Sequence, residues 1–167
     1  MARKEKLAKT NAMRELERGG VAYVAQTYED DGSIATGYGI HVAEALGEDP
    51  DTAFKTLVTV APSGAHVVCC IPVALEVDLK KAAAAAGEKS LSMLPMRELE
   101  SLTGYVRGGC SPVGMKRLFP TLIDETAQLF DDIGISGGRR GLSLRVSPDE
   151  LASFIGATFA DITREGA

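Results

Sequence analysis

The spacing of apolar residues along the chain predicts five short helices. In the first, over residues 9–20, the apolar side chains fall on one face and a pair of glycines predicts the end. Asp78 and Ser147 stand where a helix N-cap is expected, and Gly47 and Gly87 stand where a helix stops. The other predicted helices cover residues 41–47, 78–87, 95–104 and 147–156.

Alternating or continuous apolar runs predict strands between these helices. Residues 61–65 contain Pro and Gly, so the two strands that flank them are expected to form a hairpin. Residues 105–120 show neither helical nor strand periodicity. Because no repeat or change of composition divides the chain, we expect one α+β domain over residues 1–167 with a mixed or largely antiparallel sheet. The predicted strands cover residues 21–28, 53–60, 66–73, 90–94, 121–127, 129–138 and 140–146.

Composition and charge narrow the function classes. The chain has 167 residues, of which 45% are hydrophobic and 25% charged, and this excludes disorder, collagen-like repeats and coiled coil. Eighteen Lys and Arg against 23 Asp and Glu give a net charge of -5. A protein that coats nucleic-acid backbone without regard to sequence is therefore not expected, because phosphate binding needs positive charge. Local binding of one nucleic-acid end stays open.

Cysteine usage and hydropathy predict a location. The chain has three cysteines, Cys69, Cys70 and Cys110. Three cysteines cannot all pair, and two of them are adjacent, so they are expected to be reduced thiols. The basic first residues are not followed by an apolar run, and no stretch approaches the roughly 18 apolar residues of a membrane span. We therefore expect a cytoplasmic protein with no membrane partner.

The common catalytic constellations are absent from the sequence. His41 and His66 have no further His, Cys or carboxylate at ligand spacing, so no metal site is predicted. No histidine is placed to activate a Ser or Cys nucleophile. Neither a phosphate-binding loop nor a dinucleotide fingerprint occurs, so no cofactor is predicted. Because successive strand residues face opposite sides of a sheet, at least one of Cys69 and Cys70 should be buried in the hydrophobic core.

Two glycine-rich segments and one lysine are better candidates. Residues 108–114 and 136–141 combine glycines with neighbouring cations, which suits either tight turns or loops whose backbone approaches an anionic ligand. Lys55 lies inside an apolar strand, where alternation places it on the face of Leu57. It is either a surface lysine or one that lines a pocket and binds an anion or polarises a carbonyl. The sequence pattern leaves both alternatives open.

Several sequence blocks together resemble a known family. KTNAMREL (9–16), FKTLV (54–58), DLKKAA (78–83), SLTGYVRGGCSPVG (101–114) and SGGRRGL (136–142) are similar, in order and spacing, to the YbaK/EbsC family. Its members are freestanding aminoacyl-tRNA editing proteins, known chiefly as Cys-tRNA(Pro) deacylases, and they resemble the editing domain of bacterial prolyl-tRNA synthetases. The resemblance implies a compact α/β (α+β) domain with a mixed, barrel-like sheet of about six or seven strands surrounded by helices.

The resemblance also implies a site. Lys55 would be the lysine needed for activity, and Gly108 and Pro112 would frame the loop around the aminoacyl carbonyl. An aspartate that some members carry is Ser143 here, and the loop before Tyr38 is one residue longer than in close relatives. Residues implied in substrate binding are Tyr28, Tyr38, Thr56, Gly109, Cys110, Ser111, Ser136, Gly137 and Gly138, with Arg139 and Arg140 near the tRNA phosphates.

The implied reaction needs no metal, cofactor or enzyme nucleophile. In it, the thiol of the attached cysteine attacks its own ester in Cys-tRNA(Pro), with Cys-tRNA(Cys) as a further candidate, and Cys110 is not expected to take part. The implied partners are the tRNA acceptor end and a prolyl-tRNA synthetase or elongation factor. Two alternatives stay open: hydrolysis by water of Ala-tRNA(Pro) or another mischarged tRNA, and a non-catalytic module that binds tRNA ends or a synthetase.

Overall fold

The computed structural model describes residues 8–30 and 38–165. Its five α-helices are those predicted, except that the second begins at Tyr38 rather than at residue 41. Two short 3-10 helices, Pro50–Thr52 and Glu125–Leu129, were not predicted, and the second overlaps the strands expected over 121–127 and 129–138. Local capping sets their ends: the Asp78 carboxylate accepts hydrogen bonds from the backbone N–H groups of Lys80 and Lys81, and the Ser147 hydroxyl accepts one from Glu150 N–H. The helices are α1 Asn11–Arg18, α2 Tyr38–Ala45, α3 Leu79–Ala86, α4 Met96–Thr103 and α5 Pro148–Ile155.

Ten strands form three sheets in the described part of the chain. This confirms the α+β class, with more strands than the expected six or seven and without a closed barrel. The three strands that were not predicted are each three residues long, too short for alternation to reveal. The strands are β1 Tyr23–Thr27, β2 Phe54–Val60, β3 His66–Pro72, β4 Leu75–Val77, β5 Ser92–Met93, β6 Thr121–Asp124, β7 Ile133–Ser136, β8 Leu142–Val146, β9 Thr158–Ala160 and β10 Thr163–Glu165.

Strands β2 and β3 form the predicted hairpin at the centre of the largest sheet. They pair antiparallel from Phe54 opposite Pro72 to Val60 opposite His66, in the sheet order β5-β2-β3-β6-β9. Strand β6 pairs parallel with both β3 and β9, which makes this sheet mixed. A second sheet has the order β1-β8-β7, and β4 pairs with β10. A bridge from Ala53 to Gly134 joins the start of β2 to β7, so the two larger sheets adjoin there.

The hairpin separates two hydrophobic clusters because successive strand residues face opposite sides. Phe54, Val58 and Cys70 belong to a cluster that also takes residues from α1 and α5. Cys69 and Ile71 belong to the other cluster, against α3. A fully buried Ile contributes about 1.5–3 kcal/mol by leaving water. Apolar burial on both faces therefore fixes β2, the strand that carries Lys55. Within the described ranges, no helix has the length and apolar character needed to cross a bilayer.

Candidate active site

A cavity of about 510 Å³ lies where the two larger sheets adjoin. Its wall is formed by α2, β2, the segment 107–110 and the ends of β7 and β8, with apolar side chains from α4 and the residues before it. The cavity is therefore lined by segments that lie far apart in the sequence. The predicted site residues that border it are Tyr28, Tyr38, Lys55, Thr56, Gly108, Cys110 and Ser136.

Lys55 lies half-buried in the wall of this cavity. Strand β2 places it opposite Ile71 of β3. Burial lowers the pKa of its ammonium group, and the carboxylate of Glu76 acts in the opposite direction. Among the described residues, its side chain forms neither a hydrogen bond nor an ion pair. The ammonium group is therefore available to an oxygen atom of a bound molecule, which favours the pocket alternative over the surface one.

The segment 105–114 is irregular, as predicted, and passes close to the other glycine-rich segment. At Gly108 the backbone has φ +83°, a conformation that favours glycine, and the residue borders the cavity. A Cβ atom at Gly109 would lie 2.9 Å from Cα of Arg139, closer than real side chains approach a backbone. The structure therefore brings together the two segments that the sequence analysis singled out.

Within this segment, Ser111 and Pro112 are buried and do not border the cavity. The Ser111 hydroxyl accepts a hydrogen bond from Val113 N–H, and the Tyr105 hydroxyl donates one of 2.7 Å to the Val113 carbonyl. These contacts hold the segment against the core. Both residues are placed to support the segment that carries Gly108 rather than to contact a molecule in the cavity.

Two tyrosines form one end of the cavity. The hydroxyl oxygens of Tyr28 and Tyr38 lie 3.3 Å apart, within hydrogen-bond distance. Burial raises the pKa of Tyr28 above its ordinary value. The guanidinium of Arg140 lies 5.2 Å from the centre of the Tyr38 ring and forms a 2.8 Å ion pair with Asp30. Arg140 thus braces Tyr38 from outside the cavity. The extra loop residue expected before Tyr38 lies outside the described residues.

Ser136 is the residue of the second glycine-rich segment that borders the cavity. Its hydroxyl accepts a hydrogen bond of 3.2 Å from Gly138 N–H. The carbonyl of Gly137 accepts one from the Thr10 hydroxyl, which ties the segment to the start of α1. The Arg139 guanidinium contacts the Arg140 carbonyl. Gly137, Gly138 and Arg139 therefore lie behind the rim, and contact between the arginines and tRNA phosphates stays a prediction.

Cys110 is the one cysteine that borders the cavity, whereas Cys69 and Cys70 are buried in β3 away from it. Burial raises the pKa of the Cys110 thiol to about 12, and a contact from Thr103 opposes the shift only in part. The reactive form of cysteine is the thiolate, so a thiol with this pKa is a poor nucleophile at neutral pH. The geometry agrees with the expectation that Cys110 takes no part in the reaction.

Three polar residues of the wall were not predicted as site residues: Glu48, Arg107 and Ser143. Ser143 was noted only as a departure from the family, and Glu48 was not singled out at all. A Cβ atom at Gly134 would lie 3.1 Å from Oε2 of Glu48 and 3.7 Å from Oγ of Ser143, so both side chains are close to the same point of β7. The only sequence signal near Glu48 is Gly47, which marks the end of α2. Within residues 8–30 and 38–165, no three His, Cys, Asp or Glu side chains cluster in a way that could hold a metal ion.

Comparison with known proteins identifies the family. Residues 40–154 match the model of the aminoacyl-tRNA editing domain. EbsC of Enterococcus faecalis, which is named as a Cys-tRNA(Pro)/Cys-tRNA(Cys) deacylase, is 45% identical over 166 residues, or 98% of each chain. A solved structure described as a trans-editing enzyme for prolyl-tRNA synthetase is 26% identical, with a TM-score of 0.79 over 92% of this chain and 95% of its own.

A further solved structure, of a hypothetical protein, shares the fold. Its TM-score is 0.83 at 22% identity, over 93% of this chain and all of its own. The family match covers most of the cavity wall described above, including Lys55 and Gly108. On the family model and the 45% identical relative together, the chain belongs to the aminoacyl-tRNA editing domain family.

Proposed function

We propose that this protein deacylates mischarged Cys-tRNA(Pro), and that the same site accepts Cys-tRNA(Cys). The observation that carries the proposal is a half-buried lysine, without a partner side chain among the described residues, that lines the same cavity as a glycine loop and a thiol whose pKa is raised by burial. Such a site can polarise a carbonyl group but holds no activated nucleophile of its own. The name of EbsC supports the choice of substrate.

The substrate supplies the missing nucleophile. The cysteinyl thiol attacks the carbonyl carbon of its own ester, so that a C–S bond forms and the C–O bond to the ribose breaks. The thiol proton passes to the departing ribose oxygen, and the amino acid leaves as a four-membered thiolactone that water opens afterwards. The attack is intramolecular, so the enzyme has only to hold the reactive conformer and to stabilise the negative charge on the carbonyl oxygen.

In this proposal, Lys55 and the backbone N–H groups near Gly108 stabilise that charge. Pro112 and Ser111 hold the loop, Tyr28 and Tyr38 form the end of the cavity next to Gly108, and Ser136 forms the rim. Thr56, which borders the cavity next to Lys55, contacts the substrate as well. Alanine carries no thiol, so selection against it is chemical and does not need the cavity to reject a smaller side chain.

A complex with a prolyl-tRNA synthetase or elongation factor is part of the proposal. A net charge of -5 limits the affinity for tRNA alone, because phosphate contacts dominate nucleic-acid binding. A partner that already holds the tRNA would supply the remaining affinity. The neighbour described as a trans-editing enzyme for prolyl-tRNA synthetase supports this arrangement. We propose the cytoplasm as the place of action, since translation supplies the substrate there.

The test is deacylation of Cys-tRNA(Pro) and Ala-tRNA(Pro) measured side by side, with and without synthetase. Rapid release from the cysteinyl substrate alone, with a thiolactone recovered by trapping with an added amine, supports the proposal. Preferential release from Ala-tRNA(Pro) contradicts it and assigns the attack to water. No release from either substrate contradicts it in favour of a non-catalytic binding module.

A further inference from the structure

Glu48 follows α2 in a turn that fixes its position. The backbone N–H of Gly47 donates to the carbonyl of Glu44, and that of Glu48 donates to the carbonyl of Ala43, the two bonds of a Schellman motif. Gly47 takes the left-handed conformation, with φ +68°, that this motif requires. The side chain of Glu48 is only 10% exposed and borders the cavity. Its carboxylate is therefore held at one buried point of the wall.

One oxygen of this carboxylate has a partner and the other has none. Oε2 accepts a hydrogen bond of 3.2 Å from Nη1 of Arg145. Oε1 is buried and accepts no hydrogen bond in the part of the chain that the structure describes. Arg145 has no donor left for it, because its N–H groups are taken by Glu48, Thr52 and Asp132. A buried carboxylate oxygen without a donor is costly, so this atom is open to a donor that enters the cavity.

The local charge favours a cationic donor. Arg145 provides one positive charge for the two carboxylates of Glu48 and Asp132. The Asp132 side chain is 54% exposed and is screened by water, whereas that of Glu48 is not. The side chain of Lys55 does not contact Glu48, and its carboxylate neighbour is Glu76. The cations Lys55 and Arg107 also border the cavity, but neither forms a hydrogen bond or an ion pair with Glu48, so the described residues offer no cation to Oε1.

We propose that Oε1 of Glu48 binds the α-ammonium group of the aminoacyl ester. This inference rests on the proposed function, because an aminoacyl ester carries that group on the α-carbon, two bonds from the carbonyl carbon. With Lys55 and the loop at Gly108 on the carbonyl oxygen, Glu48 fixes the second polar group and so orients the ester. Ser143 lies beside Glu48, and some relatives carry an aspartate at the position of Ser143. In this protein, Glu48 therefore brings a carboxylate to the same part of the cavity from a different segment of the chain.

The test compares two adenosine analogues that cannot be cleaved. In both, an amide joins the acyl group to the 3′ carbon of the ribose; one carries cysteine and the other 3-mercaptopropionate, which keeps the thiol and lacks the amine. Kd is measured for each with the unaltered protein, Glu48→Gln and Asp132→Asn. Asp132→Asn is the matched control, because it removes the other carboxylate of Arg145 but lies outside the cavity wall.

The proposal predicts that the unaltered protein and Asp132→Asn bind the cysteinyl analogue about tenfold to a hundredfold more tightly than the analogue without the amine. Glu48→Gln should lose this preference and keep its affinity for the second analogue, a result that loss of folding cannot produce. An equal preference in Glu48→Gln overturns the inference, even if Cys-tRNA(Pro) is cleaved. Binding with the predicted preference but without cleavage of Cys-tRNA(Pro) supports Glu48 and rejects the proposed reaction. Failure of the unaltered protein to bind either analogue overturns both.

Discussion

Gly109 and Arg139 meet backbone to backbone, with no room for a side chain between them. A Cβ atom at Gly109 would lie 2.9 Å from Cα of Arg139 and 3.0 Å from the amide nitrogen of Arg140. These are main-chain atoms, which cannot rotate away as the end of a flexible side chain can. This contact joins the segment that carries Gly108 to the segment that carries Ser136, and the rim of the cavity depends on it.

Gly109→Ala should therefore damage the site as well as the stability. We expect a loss of about 1–3 kcal/mol in the free energy of unfolding and a fall of tenfold or more in kcat/KM, about what a small misplacement of groups costs. The measurements are denaturant unfolding and deacylation of Cys-tRNA(Pro).

Gly64→Ala is the matched control for this substitution. Gly64, unlike Gly109, has a positive φ, +88°, but a Cβ atom there meets no atom within 4 Å, and the residue lies in the β2–β3 turn. The control should lose stability through backbone strain, by about 1–3 kcal/mol, while kcat/KM stays unchanged. A Gly109→Ala variant with full activity would show that the two segments do not need their close contact.

Cys110→Ser should retain activity. Burial raises the pKa of the Cys110 thiol to about 12, so hardly any thiolate exists at neutral pH, and the proposed reaction uses the thiol of the substrate. We expect kcat/KM within about threefold of the unaltered protein, a small change for a residue that borders the cavity. Mass spectrometry of the quenched reaction should show no acyl group on the protein. Complete loss of activity, or a cysteinyl group on Cys110, would assign the attack to the enzyme.

The rate should fall at high pH through Lys55. Its folded-state pKa is lowered by burial, and the ammonium form is the one that stabilises the carbonyl oxygen. The contribution of Lys55 is present below that lowered pKa and is lost as the pH rises through it. The alkaline fall should therefore lie below the ordinary lysine pKa of about 10.4. The measurement is kcat/KM between about pH 6 and pH 10, corrected for uncatalysed ester hydrolysis.

Lys55→Arg supplies the comparison for this pH profile. The guanidinium of arginine stays charged throughout that range, so the variant keeps a cation on β2 at every pH. Its absolute rate should be lower, because the arginine head group is larger and differently shaped, and its alkaline fall should be absent. The same fall in both proteins would attribute it to another group.

Local signals in the sequence predicted the helices well. Asp78 and Gly87 delimit α3 as expected, since a cap forms within a few residues of the chain. Strands β4, β9 and β10 were missed because three residues are too few to show a period, and because their pairing depends on distant partners. The alternation along β2 was predicted correctly, with Phe54 in one cluster and Leu57 against the other.

The site was predictable only in part. The sequence could not show whether a cysteine faces the cavity, since that depends on which segments cover each face of the sheet. Glu48 was missed for the same reason. Its partner Arg145 lies 97 residues away in β8, and the pairing of β8 with β1 fixes its position. Lys55 was marked by an unusual charge within an apolar strand, which is a local signal.

The most direct test of the account is deacylation of Cys-tRNA(Pro) by Lys55→Ala, with Lys80→Ala as the matched control. Lys80 is an exposed lysine on α3, outside the cavity wall. Removing a group that stabilises the carbonyl oxygen should lower kcat by about a hundredfold or more, while Lys80→Ala stays at the level of the unaltered protein. Both variants should unfold at the same denaturant concentration as the parent, to within the small changes expected of surface and cavity residues. A Lys55→Ala variant that is folded and deacylates at the parental rate would contradict the assignment of Lys55 and the mechanism built on it.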